Sequence, residues 1–141
     1  MSAAEPILYD FAVIRAVPHV HLGRFEPVGV VLHARTLEFL ALKALTDPAV
    51  LRARLPDMDA ELLARYLRSY EAVAAGDPSA GPVALAPSSE RFHWLTAPRS
   101  DVIQSGPVHE GLSEDPATTL DELFATLVSS GQIGTNKTTG G

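Results

Sequence analysis

Residues 7–17, Ile-Leu-Tyr-Asp-Phe-Ala-Val-Ile-Arg-Ala-Val, decide how the rest of the chain must be arranged. Aromatic and β-branched side chains dominate this run, which predicts a strand. By strand alternation Phe11, Val13, Arg15 and Val17 share one face, and Ala12, Ile14 and Ala16 share the other. Only Asp10 and Arg15 interrupt the apolar character. A strand apolar on both faces belongs in the middle of a sheet that is covered on both sides. Pro18 has no N–H for the ladder and is expected to end it.

Working outward, Gly23 and Pro27 punctuate a connection. A second strand is expected over residues 28–33 and a third over 37–44, with Ala34, Arg35 and Thr36 as a tight turn between them. Gly29 is either a plain sheet glycine or the mark of a bulge or close backbone approach. Asp47 and Pro48 carry the residue types of an N-cap and a first helical position, so a short helix over 49–55 is predicted. Asp57 is expected to cap a second helix, 58–75, with Leu62, Leu63, Tyr66, Leu67, Tyr70 and Val73 on one stripe. Gly76 stands where a helix C-terminal glycine belongs. Residues 77–89 read as a loop. Residues 92–96 and 102–105 read as the fourth and fifth strands, joined by a loop to a last helix. That helix starts at Asp115-Pro116 and presents Leu120, Leu123, Phe124, Leu127 and Val128 at i, i+3, i+4, i+7 and i+8. The order β-β-β-α-α-β-β-α predicts an α+β two-layer sandwich: a mostly antiparallel sheet of about five strands with two main amphipathic helices. One domain is expected over residues 1–131, followed by a polar Gly/Thr-rich tail, 132–141, expected to be disordered.

Composition narrows the function classes. The chain has 141 residues, 46% hydrophobic and 20% charged, as in ordinary globular domains. Its net charge of −6 lacks the field that phosphate-backbone binding needs, so nucleic acid is not the expected partner. The absence of cysteine excludes disulfides, thiolate zinc sites and a Cys nucleophile. No apolar run approaches the roughly 18 residues of a membrane helix. The N-terminal residues lack the pattern of a signal peptide. A soluble cytoplasmic protein is expected, with no membrane association.

Few constellations carry chemistry. His19 and His21 would point the same way in an extended segment and could share a metal ion if His33, His93 or His109 supplied another ligand. Nothing in the spacing demands it, and no metal or cofactor is assigned. Arg99, Ser100 and Asp101, with Gln104 and His109 downstream, form the densest polar cluster. A Ser-His-Asp trio can be drawn from them, but Ser100 is in no Gly-x-Ser-x-Gly elbow and no oxyanion-hole motif is present. The plainer reading is a turn in which Asp101 accepts from Arg99 or from backbone N–H groups. His93 and Thr96 have the wrong spacing for a His-x-Thr phosphoesterase pair. Phosphate-cradling glycine motifs are absent. Trp94 reads as a core residue before a ligand platform.

Several segments together carry a resemblance. They are Tyr9-Asp10-Phe11-Ala12-Val13-Ile14-Arg15 with Val17-Pro18, Phe25, Val28-Gly29-Val30-Val31-Leu32, Ala75-Gly76-Asp77-Pro78 and Ser89-Glu90-Arg91-Phe92-His93-Trp94-Leu95. They continue with Ala97-Pro98-Arg99-Ser100, Val102-Ile103-Gln104, Pro107-Val108-His109 and Gly111-Leu112. The chain up to about Val128 resembles the bacterial domain of unknown function 3037 family. Pro27 departs from that pattern, which has a polar residue, often Asn, before Val-Gly-Val. The resemblance implies no activity. It implies genes placed beside those for HipA-like kinases, hence an accessory or partner role, and it points to Arg15, Arg99, Ser100, Asp101, Gln104 and His109 as the matching positions for any site.

Two functions are compatible with these residues. One is a noncatalytic protein-interaction or accessory module, with a HipA-like kinase as partner or with self-association into a homo-oligomer. The other is an enzyme or ligand-binding domain for a small anionic substrate, with Arg15 and Arg99 as anion clamps and His109 or Asp101 as acid–base group. The second requires a concave pocket where these groups converge.

Overall fold

The computed structural model describes residues 5–19, 24–98 and 102–129. The expected tail, 132–141, lies outside them. Among the described residues, five strands form one antiparallel sheet: β1 (Ile7–His19), β2 (Arg24–Ala34), β3 (Phe39–Ala44), β4 (Ile103–Ser105) and β5 (His109–Ser113). Four α-helices among these residues accompany it: α1 (Pro48–Arg54), α2 (Ala60–Ala75), α3 (Ser88–Thr96) and α4 (Pro116–Phe124). The protein is therefore an α+β fold, and β1 is central as its two apolar faces require. β2 lies along one side of β1, with β3 beyond it. β4 and β5 both lie along the other side, pairing with residues 14–16 and 7–11 of β1.

The sheet carries helices on both faces, one face fully covered and the other only over β2 and β3. Ala12, Ile14 and Ala16 join Val31, Leu40 and Leu42 under α1, α2 and α3, where Leu51, Leu63, Leu67 and Leu95 close the core. Tyr9, Val30, Leu32 and Ala34 meet Leu120, Phe124 and Val128 from α4 and the π-turn Ala125–Ser129 that continues it. The two amphipathic helices, α2 and α4, thus lie on opposite faces, and the helices form a layer on each side of the sheet. Tyr66, placed on the α2 stripe by the sequence, points to solvent.

Other details depart from the sequence reading, and β2 already starts at Arg24, inside the expected connection. β1 does not end at Pro18 but runs to His19. Its pairing with β2 is irregular between Ala16 and His19, and that irregularity absorbs the missing N–H. Residues 92–96 are not a strand but most of α3. Ser88, Phe92 and Leu95 recur at helical spacing, and the sheet side buries Ser88 and Leu95. Residues 109–113, expected as loop, form β5. The second helix begins at Ala60, capped by Asp59, whose side chain accepts from the Leu62 N–H.

The caps at Asp47 and Asp115 are as expected; each accepts a helix N–H beside a Pro at the first helical position. Gly76 takes the left-handed φ of 74° that ends α2. Gly29 proves to be both kinds of special position. It adjoins a bulge where Ile14 faces Gly29 and Arg15 faces Pro27, leaving Val28 unopposed. A Cβ at Gly29 would lie 3.0 Å from the Lys43 carbonyl oxygen.

Candidate functional site

Arg15 stands on β1 between Pro27 of β2 and Gln104 of β4, its cross-strand neighbours. Its guanidinium carbon lies 4.1 Å from the centroid of the Phe25 ring, a cation–π stack. Gly106 packs against the same group: a Cβ there would come within 3.4 Å of it. The Arg15 Nε is buried and meets no hydrogen-bond partner among the described residues. The ion pairs found among them, Lys43–Asp121, Arg52–Glu61 and Arg54–Glu26, all leave Arg15 out.

His109 lies on the same sheet face, farther along. It pairs with Phe11 across β1 and β5, with ring centroids 5.3 Å apart. Tyr9 continues the aromatic row, 6.1 Å from Phe11, and its ring lies over Gly111. Phe11 and Arg15 are four residues apart on β1, which at ~3.3 Å per residue sets His109 about 13 Å from Arg15. Alternation puts Val13 between them on this face. α4 packs on β2 and β3, so Phe11, Val13, Arg15 and Gln104 are only half-buried, and Phe25 and His109 are exposed. The result is an open strip along β1, β4 and β5. The strip holds Arg15, Gln104 and His109 of the sequence-predicted positions. Arg99, Ser100 and Asp101 lie outside the described residues, as does His21; of His19 only the backbone is described. Among the described residues no group of three or more His, Cys, Asp or Glu is placed to hold a metal ion.

The strip is not a pocket. A cavity of about 160 Å³ lies beside it, lined by Pro18, Phe25, Glu26 and Arg54 among others. A wider groove of about 440 Å³ runs along α3 past Val83, His93 and Trp94. Neither is lined by Arg15, Gln104 or His109. Trp94 is half-buried against the core, 5.8 Å from the Tyr70 ring.

Sequence reasoning misses a buried polar group. Ser88, at the start of α3, lies 3.3 Å from His33 Nε2, and its hydroxyl donates to Glu38 Oε1 at 3.2 Å. His33 is 2% exposed and also stacks on Phe92. Its pKa is held below the ordinary histidine value, by burial first and by Arg35 second. A nucleophilic relay needs the imidazole between the hydroxyl and the carboxylate. Here the serine is in the middle and is itself buried, so the order is not that of a relay and the group links α3 to β2 and the turn after it. The signal for it is tertiary: the three residues lie 50 and 55 positions apart in pairs.

The family model described as a protein of unknown function, DUF3037, matches residues 11–128. The chain belongs to the DUF3037 family. No curated protein and no solved structure matches it. The matched span of this DUF3037 chain runs from Phe11, inside the strip, to Val128, the last buried residue against the α4 face. Among the described residues no helix is long and apolar enough to cross a membrane.

Proposed function

We propose that this DUF3037 protein is a noncatalytic protein-interaction module whose contact surface is the open strip of Phe11, Val13, Arg15, Gln104 and His109. The observation that carries the reading is the incomplete cover of one sheet face. α4 closes the β2–β3 half, while the β1–β4–β5 half keeps aromatic and apolar side chains half-buried beside a stacked arginine. Aromatic residues and Arg on a flat surface are the composition of protein contact sites. The open edge of β5 adds backbone groups that a partner strand can use. The family's gene neighbourhood makes a HipA-like kinase the first partner to test, and self-association the second.

A small-anion enzyme draws support only from Arg15. Its expected acid–base partner His109 stands about 13 Å along the backbone, its ring against Phe11, and the two share no cavity among the described residues.

The test is recovery of partners by the tagged full chain from a lysate of its own cells. Val13→Glu and His109→Glu place charge in the strip. Leu85→Glu places it on an exposed site elsewhere. Recovery lost with the first two and kept with the third supports the module. Recovery indifferent to all three contradicts it.

A further inference from the structure

We infer that Arg15 is an anchor for a carboxylate, and that the strip therefore takes an acidic protein segment. This rests on the interaction reading above and names the chemistry of its partner. Arg15 is held against the Phe25 ring at 4.1 Å, with Gly106 close on the same group. An arginine fixed in this way has already lost much of its side-chain freedom, and its planar fork suits bidentate contact with a carboxylate. Its Nε is buried without a partner among the described residues, and no described carboxylate is paired with the guanidinium.

The surroundings agree. The chain has 17 acidic residues against 11 basic ones. Yet the positions that alternation and register assign to the strip (Phe11, Val13, Arg15, Phe25, Gln104 and His109) include no acid. The acids on these strands, Asp10, Glu26 and Glu110, fall on the opposite face by register, Asp10 across from Glu110 and Glu26 across from Ala16. Gln104, cross-strand from Arg15, offers an amide donor to the same ligand. A carboxylate on an extended segment meets Arg15 while neighbouring apolar side chains meet Val13 and Phe11. A nucleic acid is disfavoured because the strip positions offer a single arginine where a phosphate backbone needs several cations.

The experiment is an NMR titration of the isotope-labelled full chain. The probes are two twelve-residue peptides with the same apolar residues, one carrying Glu and the other Lys at alternate positions, and inorganic phosphate at matched ionic strength. The glutamate peptide is expected to shift the Arg15 Nε–H signal together with Phe25 and Gln104, and the lysine peptide to leave them in place. Arg15→Lys is expected to weaken glutamate-peptide binding at least tenfold, and Arg15→Gln to abolish it, with thermal midpoints confirming that both variants fold. Should Arg15→Gln fail to fold, Arg15→Lys and Gln104→Ala carry the test. Equal response to both peptides, or response to phosphate but not to the glutamate peptide, overturns the inference. Partner recovery that survives Arg15→Gln but not Val13→Glu overturns the anchor and leaves the interaction surface standing; recovery that survives both removes both.

Discussion

Arg54 should be one of the most costly single side chains to remove. Its side chain is 3% exposed although it carries a full charge. Nη2 donates to the Val128 and Ser129 carbonyls at 2.6 and 3.2 Å. Nη1 donates to the Pro27 carbonyl at 3.3 Å and to Glu26 at 3.4 Å. The group therefore ties α1 to the start of β2 and to the end of the π-turn after α4, where C-terminal carbonyls favour a cation. Burial pulls its pKa below the usual arginine value, opposed by Glu26, but a guanidinium remains charged throughout the ordinary pH range. Arg54→Met keeps most of the stem and removes the charge. Hydrogen bonds from a charged donor contribute about 1.5–3 kcal/mol each, but the burial cost of the cation disappears with them. The carbonyls of Val128 and Pro27 lose this donor, and Glu26, 29% exposed, recovers part of its loss from water. The balance is a loss of about 2–4 kcal/mol. Urea unfolding of the full chain measures it directly, and amide exchange over residues 125–129 should accelerate beyond the global change. A loss under about 1 kcal/mol with unchanged exchange would refute the view that Arg54 holds the end of the α4 layer in place.

Three further outcomes rest on individual contacts. His33 is neutral in the fold because its pKa is depressed, so the unfolded chain binds the extra proton. Stability is then full above the unfolded histidine pKa of about 6.5 and falls as pH drops below it; in pH-dependent unfolding, His33→Gln should flatten that part of the profile. Glu71 is the reverse case: burial raises its pKa even though it accepts from the Ala44 N–H at 3.0 Å. Glu71→Gln keeps an acceptor and removes the charge, so it should be as stable as wild type or up to about 1 kcal/mol more stable at pH 7, with the gap closing in acid as Glu71 becomes protonated. Gly29→Ala should cost about 1–3 kcal/mol in thermal unfolding, because its Cβ would crowd the Lys43 carbonyl and the Ala44 Cβ at 3.0 and 3.1 Å.

How much is legible in the sequence depends on where the information sits. The two apolar faces of residues 7–17 place β1 mid-sheet, and the caps at Asp47 and Asp115, with Gly76, fix helix ends through local chemistry. Phe-His-Trp-Leu-Thr looks like a strand because aromatic and β-branched residues favour one. The tertiary pull of Ser88, Phe92 and Leu95 on the sheet overrides that preference. β5 hides for the opposite reason: an edge strand with His109, Glu110 and Gly111 exposes most of its side chains, so no apolar alternation marks it. Of the proposed strip, Arg15, Gln104 and His109 are candidates named from the sequence, but their common face depends on the ladder register, and the Phe25 ring against Arg15 is a tertiary contact. Ser88, His33 and Glu38 leave no local pattern at all.

Whether the open strip is a protein contact surface is measured most directly by affinity recovery with wild type, Val13→Glu and Leu85→Glu side by side, read by mass spectrometry. A partner should be retained by wild type and Leu85→Glu and lost with Val13→Glu, while all three keep the same thermal midpoint within a few degrees. Val13→Glu recovering the same partner as wild type would contradict it.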